Sequence, residues 1–218
     1  MRLPELAIFD MDGLLFDSER ILMEENRKVM ESYGYVQTFS DYAKTIGMAG
    51  DSYFETLFSI YGPDYPAHEI APLSAQNCVE RMMNEGVPVK EGIPELLTYF
   101  KEQGVPCCVA TSTKRRSALP MLEKAGLLPY FSYVVTSEEV ERSKPEPDIF
   151  LLAAKKNGTS PQNCLVFEDS QNGVLASYRA GIPVICIPDM KEPEPYYAEK
   201  ATKVVRSALD VPALFDLH

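Results

Sequence analysis

The chain has 218 residues, enough to bury a full core and to hold one domain with a second inserted into it. Hydrophobic residues make up 45% and charged residues 24%, ordinary for a globular protein, and no apolar run approaches the roughly 18 residues of a membrane span. A formal net charge of −11 argues against nucleic acid and anionic membranes as partners, so an anionic substrate must be drawn in by a few local cations.

In chain order, Ala7-Ile8-Phe9 ends a first buried strand, and Asp10 and Asp12 follow at once. This apolar stretch is too short for a signal peptide, and a cytoplasmic, monomeric protein is expected. From residue 17 to 88 the pattern is helical. SERILMEENRKVMESYG stops at Gly34, DSYFETLFSIYG carries the capping-box spacing of Ser52 and Glu55, and PLSAQNCVERMMNEG makes a further helix. From residue 89 onward, apolar runs at 105–111, 131–136, 163–169, 182–187 and, more weakly, 203–205 alternate with helices. Pro94 lies near one helix start, and Gly104, Gly158 and Gly181 act as stops. Continuous apolar strands alternating with helices predict an α/β fold, a Rossmann-like parallel sheet covered by helices on both faces. The predicted domains are an α/β core of residues 1–16 and 89–218 and an inserted all-helical cap of residues 17–88. The five cysteines (Cys78, Cys107, Cys108, Cys164 and Cys186) show no C-x-x-C spacing and are expected to be reduced, buried thiols. His68 and His218 have no partner motif and are expected to be exposed and without function.

Ligands of open parallel sheets bind at the carboxyl ends of the strands. There the sequence places Asp10 and Asp12, then Thr111-Ser112-Thr113 at a helix start, then Lys144 in SKPEPD, then Glu168-Asp169-Ser170. Converging carboxylates repel one another and call for a hard cation with oxygen ligands, with Mg²⁺ the first choice. The hydroxyls, the helix-start amides and Lys144 make an adjacent anion site suited to a phosphoryl group. Taken singly, each motif has an ordinary explanation as a turn, a helix cap or a surface lysine. Four in order at the required strand ends are specific.

These four motifs, D-M-D-G-L, A-T-S-T, K-P-E-P-D and E-D-S, resemble those of the haloacid-dehalogenase superfamily, and more narrowly the β-phosphoglucomutase-like phosphatases with a helical cap. The resemblance covers nearly the whole chain. It implies that Asp10 is the nucleophile of an aspartyl-phosphate mechanism and Asp12 the general acid and base. It further implies that Asp10, the Asp12 carbonyl and Asp169 hold Mg²⁺, with Glu168 a ligand or a partner behind it. Thr111 and Lys144 would hold the phosphoryl oxygens, assisted by the Ser112 amide. In the mutase relatives, the positions of Thr113, Lys114 and Arg115 contact a distal phosphate. As plain sequence, Lys114-Arg115-Arg116 is equally a solvated helix face.

The family's mutases carry a histidine, a lysine and an arginine in the cap at positions that here read Leu22, Ile46 and Gly50. The reading favoured is therefore a Mg²⁺-dependent phosphatase of a small phosphorylated metabolite, by default a sugar phosphate. A sugar phosphomutase and a non-enzymatic Mg²⁺-dependent binding protein are the alternatives. Glu19, Arg20, Lys44, Asp51 and Tyr53 are the cap residues that could face the substrate. Pro120 predicts a kink or a late start in the helix after Thr111.

Overall fold

The structure is a computed structural model that describes residues 1–48 and 50–215. Six parallel strands, β1 (Leu6–Phe9), β2 (Cys107–Thr111), β3 (Phe131–Thr136), β4 (Cys164–Glu168), β5 (Val184–Cys186) and β6 (Lys203–Val204), form one sheet in the order β3-β2-β1-β4-β5-β6. β1 is central, and the order reverses beside it, which places the crevice for a ligand at its carboxyl end.

Because side chains alternate along a strand, β1 feeds two cores. Ala7 and Phe9 face α5 (Ile93–Glu102) and α6 (Arg115–Lys124), while Leu6 and Ile8 face α7 (Asp148–Asn157) and α8 (Gln171–Arg179). Both faces are covered, so strands that read as unbroken apolar runs are the ones that fit. Phe9 stacks on Phe167 with ring centroids 4.7 Å apart and meets Phe100 and Phe131 edge-on. All five cysteines are free and buried, as their apolar surroundings predict.

Between β1 and α5 lie α1 (Ser18–Ser32), α2 (Phe39–Ala43), α3 (Asp51–Tyr61) and α4 (Ala67–Glu85). Val29, Met30, Leu57, Tyr65 and Ile70 form a separate apolar cluster among them. The chain leaves the sheet region and returns to it side by side: Asp17 N–H donates to the Pro88 carbonyl at 2.9 Å and Lys90 N–H to the Leu15 carbonyl at 2.9 Å. Among the described residues no helix is long and apolar enough to cross a membrane.

Local details depart from the sequence reading. α3 begins at Asp51 with Gly50 as its N-cap, so Ser52 and Glu55 lie inside the helix and do not form its capping box. α6 starts directly at Arg115 and runs through Pro120, so of the kink or late start expected there the late start does not occur, and α4 begins at Ala67, ahead of Pro72. Each proline sits in the second turn and removes one helical hydrogen bond, at the carbonyl of an exposed residue, Arg116 or His68, where water can replace it. His68 is exposed as expected, with its ring against Phe54, and His218 lies outside the described residues. Since Phe9 is completely buried in an aromatic cluster, Phe9→Ala is expected to cost about 3–5 kcal/mol of folding stability, measured by urea denaturation with an unchanged m-value.

Candidate active site

Asp10 is the first residue beyond β1, where its N–H still donates to the Phe167 carbonyl at 3.0 Å. That last sheet-like bond fixes its side chain at the carboxyl edge, where it is only 6% exposed. Glu168, at the end of β4, is 0% exposed. Between the two carboxylates lies the ammonium of Lys144, itself 8% exposed, which bonds Asp10 Oδ1, Glu168 Oε1 at 2.7 Å and the Ala110 carbonyl at 3.3 Å. Burial alone would lower the Lys144 pKa, but the two carboxylates outweigh it and hold the ammonium charged. Burial lifts Asp10 to about 7 against the pull of Lys144, with Glu168 and Asp12 pushing in the same direction as burial.

The second oxygen of Glu168 is used as fully as the first. Oε2 accepts the N–H groups of Asp169 and Ser170 at 3.0 and 2.9 Å and the Ser170 hydroxyl at 3.0 Å. Ser170 also caps α8 by accepting the Gly173 N–H at 3.1 Å. A Cβ on Gly173 would lie 1.7 Å from Glu168 Oε1, so only glycine admits this carboxylate. Gly13, at φ +83°, clears Asp169 in the same way, since a Cβ there would lie 2.2 Å from Asp169 Oδ2.

Oxygen atoms of Asp10, Glu168 and Asp169 lie within 4.8 Å of one another. An all-carboxylate donor set suits a hard divalent cation such as Mg²⁺. With Glu168 occupied by Lys144 and three local donors, Asp10 and Asp169 are the carboxylates left to hold an ion. Asp169 is raised well above the ordinary carboxylate range by burial, then by Glu168 and Asp10, the signature of a group lacking a countercharge. The residues fit the ion. The Asp12 side chain is turned elsewhere: Oδ2 accepts the Thr113 hydroxyl at 2.6 Å and the Thr111 hydroxyl at 3.4 Å, and Oδ1 lies 3.4 Å from the Ser18 hydroxyl. Burial raises its pKa, partly offset by the bonds from Thr113, Ser18 and Thr111.

Asp10, Asp12, Ser112, Lys144, Glu168 and Asp169 all line one cavity of about 160 Å³, roofed from the helical insert by Glu19, Ile46, Gly47 and Met48. Thr111 is buried behind it and receives the Thr113 N–H at 3.0 Å. Lys114 and Arg115 do not join this group. Lys114 is exposed, and the Arg115 guanidinium turns away to the Val134 carbonyl at 2.8 Å and Glu139 at 3.0 Å, because α6 points that face toward β3. Of the candidate cap residues, Glu19 lines the cavity and Tyr53 its neighbour, whereas Arg20 and Lys44 pair with Asp17 and Asp41. Asn172 escaped sequence reasoning. Its amide donates to the Gly47 carbonyl, tying α8 to the roof, and its only sequence signal was its place in the first turn after E-D-S.

Residues 7–187 match the model of the haloacid dehalogenase-like hydrolase family. The chain belongs to this family. The phosphorylated carbohydrates phosphatase of Thermotoga maritima is 35% identical over 185 residues, which cover 82% of each chain. The (DL)-glycerol-3-phosphatase 1 of Arabidopsis thaliana is 32% identical over 216 residues, covering 94% of this chain and 70% of that one. β-Phosphoglucomutase from Clostridium difficile superposes with a TM-score of 0.76 over 96% of this chain and 93% of its own, at 22% identity, a likeness of fold alone. The chain is thus a phosphatase within the haloacid dehalogenase-like hydrolases.

The acidic cluster gives this hydrolase a defined pH signature without metal. Asp10 and Glu19 sit near pH 7 in the folded chain, both chiefly through burial, against about 4 for unfolded carboxyls, and Asp169 shifts in the same direction. The folded state therefore holds protons that the unfolded state releases, so stability is lost as pH rises from about 4 through 7. Carboxylates shifted the other way, such as Glu139 at about 2, have finished titrating below that window. Tm in EDTA is expected to fall between pH 5 and pH 8, with a shallower slope when Mg²⁺ is added. A flat or rising Tm in EDTA would contradict this electrostatic picture.

Proposed function

We propose that the protein is a Mg²⁺-dependent phosphatase that hydrolyses a small phosphorylated carbohydrate or polyol through an aspartyl-phosphate on Asp10. The observation that carries this reading is the pairing, in one roofed cavity, of Asp10 held by Lys144 with Asp12 held by Thr113. Residues 17–88 then act as a cap domain on a core of 1–16 and 89–218, in keeping with the insert's own apolar cluster and the paired crossings at 15–17 and 88–90.

Asp10 attacks phosphorus in line, forming the carboxylate oxygen–phosphorus bond as the ester oxygen departs. Asp12, which burial keeps inclined to hold its proton, donates it to the departing oxygen. Thr113 and Thr111 fix the Asp12 side chain, and Ser112 offers its hydroxyl and N–H to the phosphoryl oxygens. Product departure admits water, and Asp12, now ionised, removes its proton while the water attacks phosphorus and frees Asp10. A Mg²⁺ ion on Asp10 and Asp169 would neutralise the carboxylates and the phosphoryl oxygens together. The roof of Glu19, Ile46 and Met48 excludes bulk water during the first transfer.

A substrate of this class agrees with the phosphorylated carbohydrates and glycerol phosphate named for the two relatives. The mutase alternative lacks support, because Leu22, Ile46 and Gly50 line the cap cavity where the mutases carry cations. A purely binding role is disfavoured by the convergence of Asp10, Asp12, Ser112, Lys144 and Asp169 on one cavity. Asp10→Asn is expected to reduce phosphate release from p-nitrophenyl phosphate with Mg²⁺ by more than about a hundredfold, a barrier change above roughly 3 kcal/mol, while the fold by circular dichroism is kept. Activity above about a hundredth of wild type would exclude Asp10 as nucleophile, and wild-type activity that survives EDTA would exclude the metal dependence.

A further inference from the structure

Next to the reaction cavity, under the helical insert, lies a second cavity of about 380 Å³ that shares Glu19, Ile46, Gly47 and Met48 with it. Among the described residues that line it there is no lysine, arginine or histidine. Much of its polar wall is engaged internally. The Ser74 hydroxyl bonds Asn26 at 3.0 Å, and the Thr45 hydroxyl bonds the Tyr42 carbonyl at 2.8 Å. The remaining charge is Glu19. Its Oε2 accepts the Tyr42 hydroxyl at 2.9 Å, which fixes the carboxyl, and its Oε1 has no hydrogen-bond partner among the described residues. Among the described residues that line the reaction cavity the only cation, Lys144, is already shared between Asp10 and Glu168.

The geometry points to Glu19 as the residue that determines specificity for the leaving group: it accepts hydroxyl hydrogen bonds from an uncharged polyol and repels a leaving group that carries a carboxylate or a second phosphate. This inference rests on the phosphatase reading and narrows its substrate to neutral polyhydroxyl monophosphates. Hydrogen bonds from hydroxyls to a fixed carboxylate are charge-assisted, whereas a carboxylate brought to the same place has no countercharge in the wall. Two like charges about 6 Å apart at an effective dielectric near 20 cost on the order of a hundredfold. A single preoriented carboxylate is therefore enough to sort substrates by charge while the reacting phosphoryl group remains the same.

The test compares kcat/KM with Mg²⁺ at pH 8 for two pairs that differ chiefly in leaving-group charge: glycerol 3-phosphate against 3-phosphoglycerate, and sorbitol 6-phosphate against 6-phosphogluconate. Wild type is expected to favour the neutral member of each pair by more than about tenfold. Glu19→Gln keeps the shape and an acceptor for Tyr42, and it is expected to narrow that ratio by about tenfold or more. Leu22→Lys places a cation on the same wall and is expected to narrow the ratio with Glu19 intact, so the inference does not depend on one variant folding. A wild-type ratio near one, or a ratio unmoved by either folded variant, overturns the inference alone. No phosphate release by wild type even from p-nitrophenyl phosphate would overturn the phosphatase reading and the inference with it.

Discussion

Lys144 places its ammonium between the carboxylates of Asp10 and Glu168, with the Ala110 carbonyl as a third acceptor and the Phe150 ring 4.7 Å away. An isolated buried carboxylate would take up a proton rather than remain charged, and two facing each other would do so more readily. The lysine keeps both usable. It also joins four separate chain segments, those that end β1, β2 and β4 and the loop before α7, so the charge cluster depends on the sheet being assembled. The organisation around it protects this arrangement. Glycine at 173 clears space for Glu168 and glycine at 13 for Asp169, while the backbone amides at the start of α8 hold the carboxylate oxygen that Lys144 leaves free.

Charge is thus distributed by segment. The core supplies the cluster of acids with one cation, and the helical insert supplies a roof that is apolar apart from Glu19. Asn172 links the two by donating to the Gly47 carbonyl, and a Cβ on Gly47 would lie at ordinary contact distance, 3.5 Å, from that of Ser170. The roof therefore rests on the same helix start that orders Glu168 and Asp169. On the proposed reading, the reaction chemistry would sit at the sheet edge and the choice of leaving group in the insert.

The sheet was legible in the sequence because strands buried on both faces carry unbroken apolar runs, as Phe9 and Ile8 do on opposite sides of β1. The acid, hydroxyl and lysine motifs were legible because their places at strand ends follow from that sheet. Other features depend on geometry that spacing does not encode. Arg115 follows Thr113 closely in sequence, yet the helical turn sends its side chain to Glu139 and not to the cavity. Glu168 and Asp169 are adjacent and chemically alike, but only the folded loop shows that Glu168 is filled by donors and Asp169 is not. Asn172 and Gly47 meet across 125 residues, a contact fixed by a loop whose course the sequence does not specify. The Ser52 and Glu55 spacing matched a capping box with Ser52 as N-cap, but the N-cap is Gly50, two residues earlier.

The most direct measurement of the central interaction is a double-mutant cycle between Lys144 and Asp10, read by urea denaturation at pH 8 in EDTA. Lys144→Met leaves two buried acids without a cation and is predicted to cost about 3–5 kcal/mol. Adding Asp10→Asn to that variant is predicted to restore part of the loss, because the amide carries no charge, so the two substitutions couple by more than about 1 kcal/mol. Strictly additive losses would contradict the account, since they would mean that the lysine does not hold the Asp10 carboxylate in its charged form.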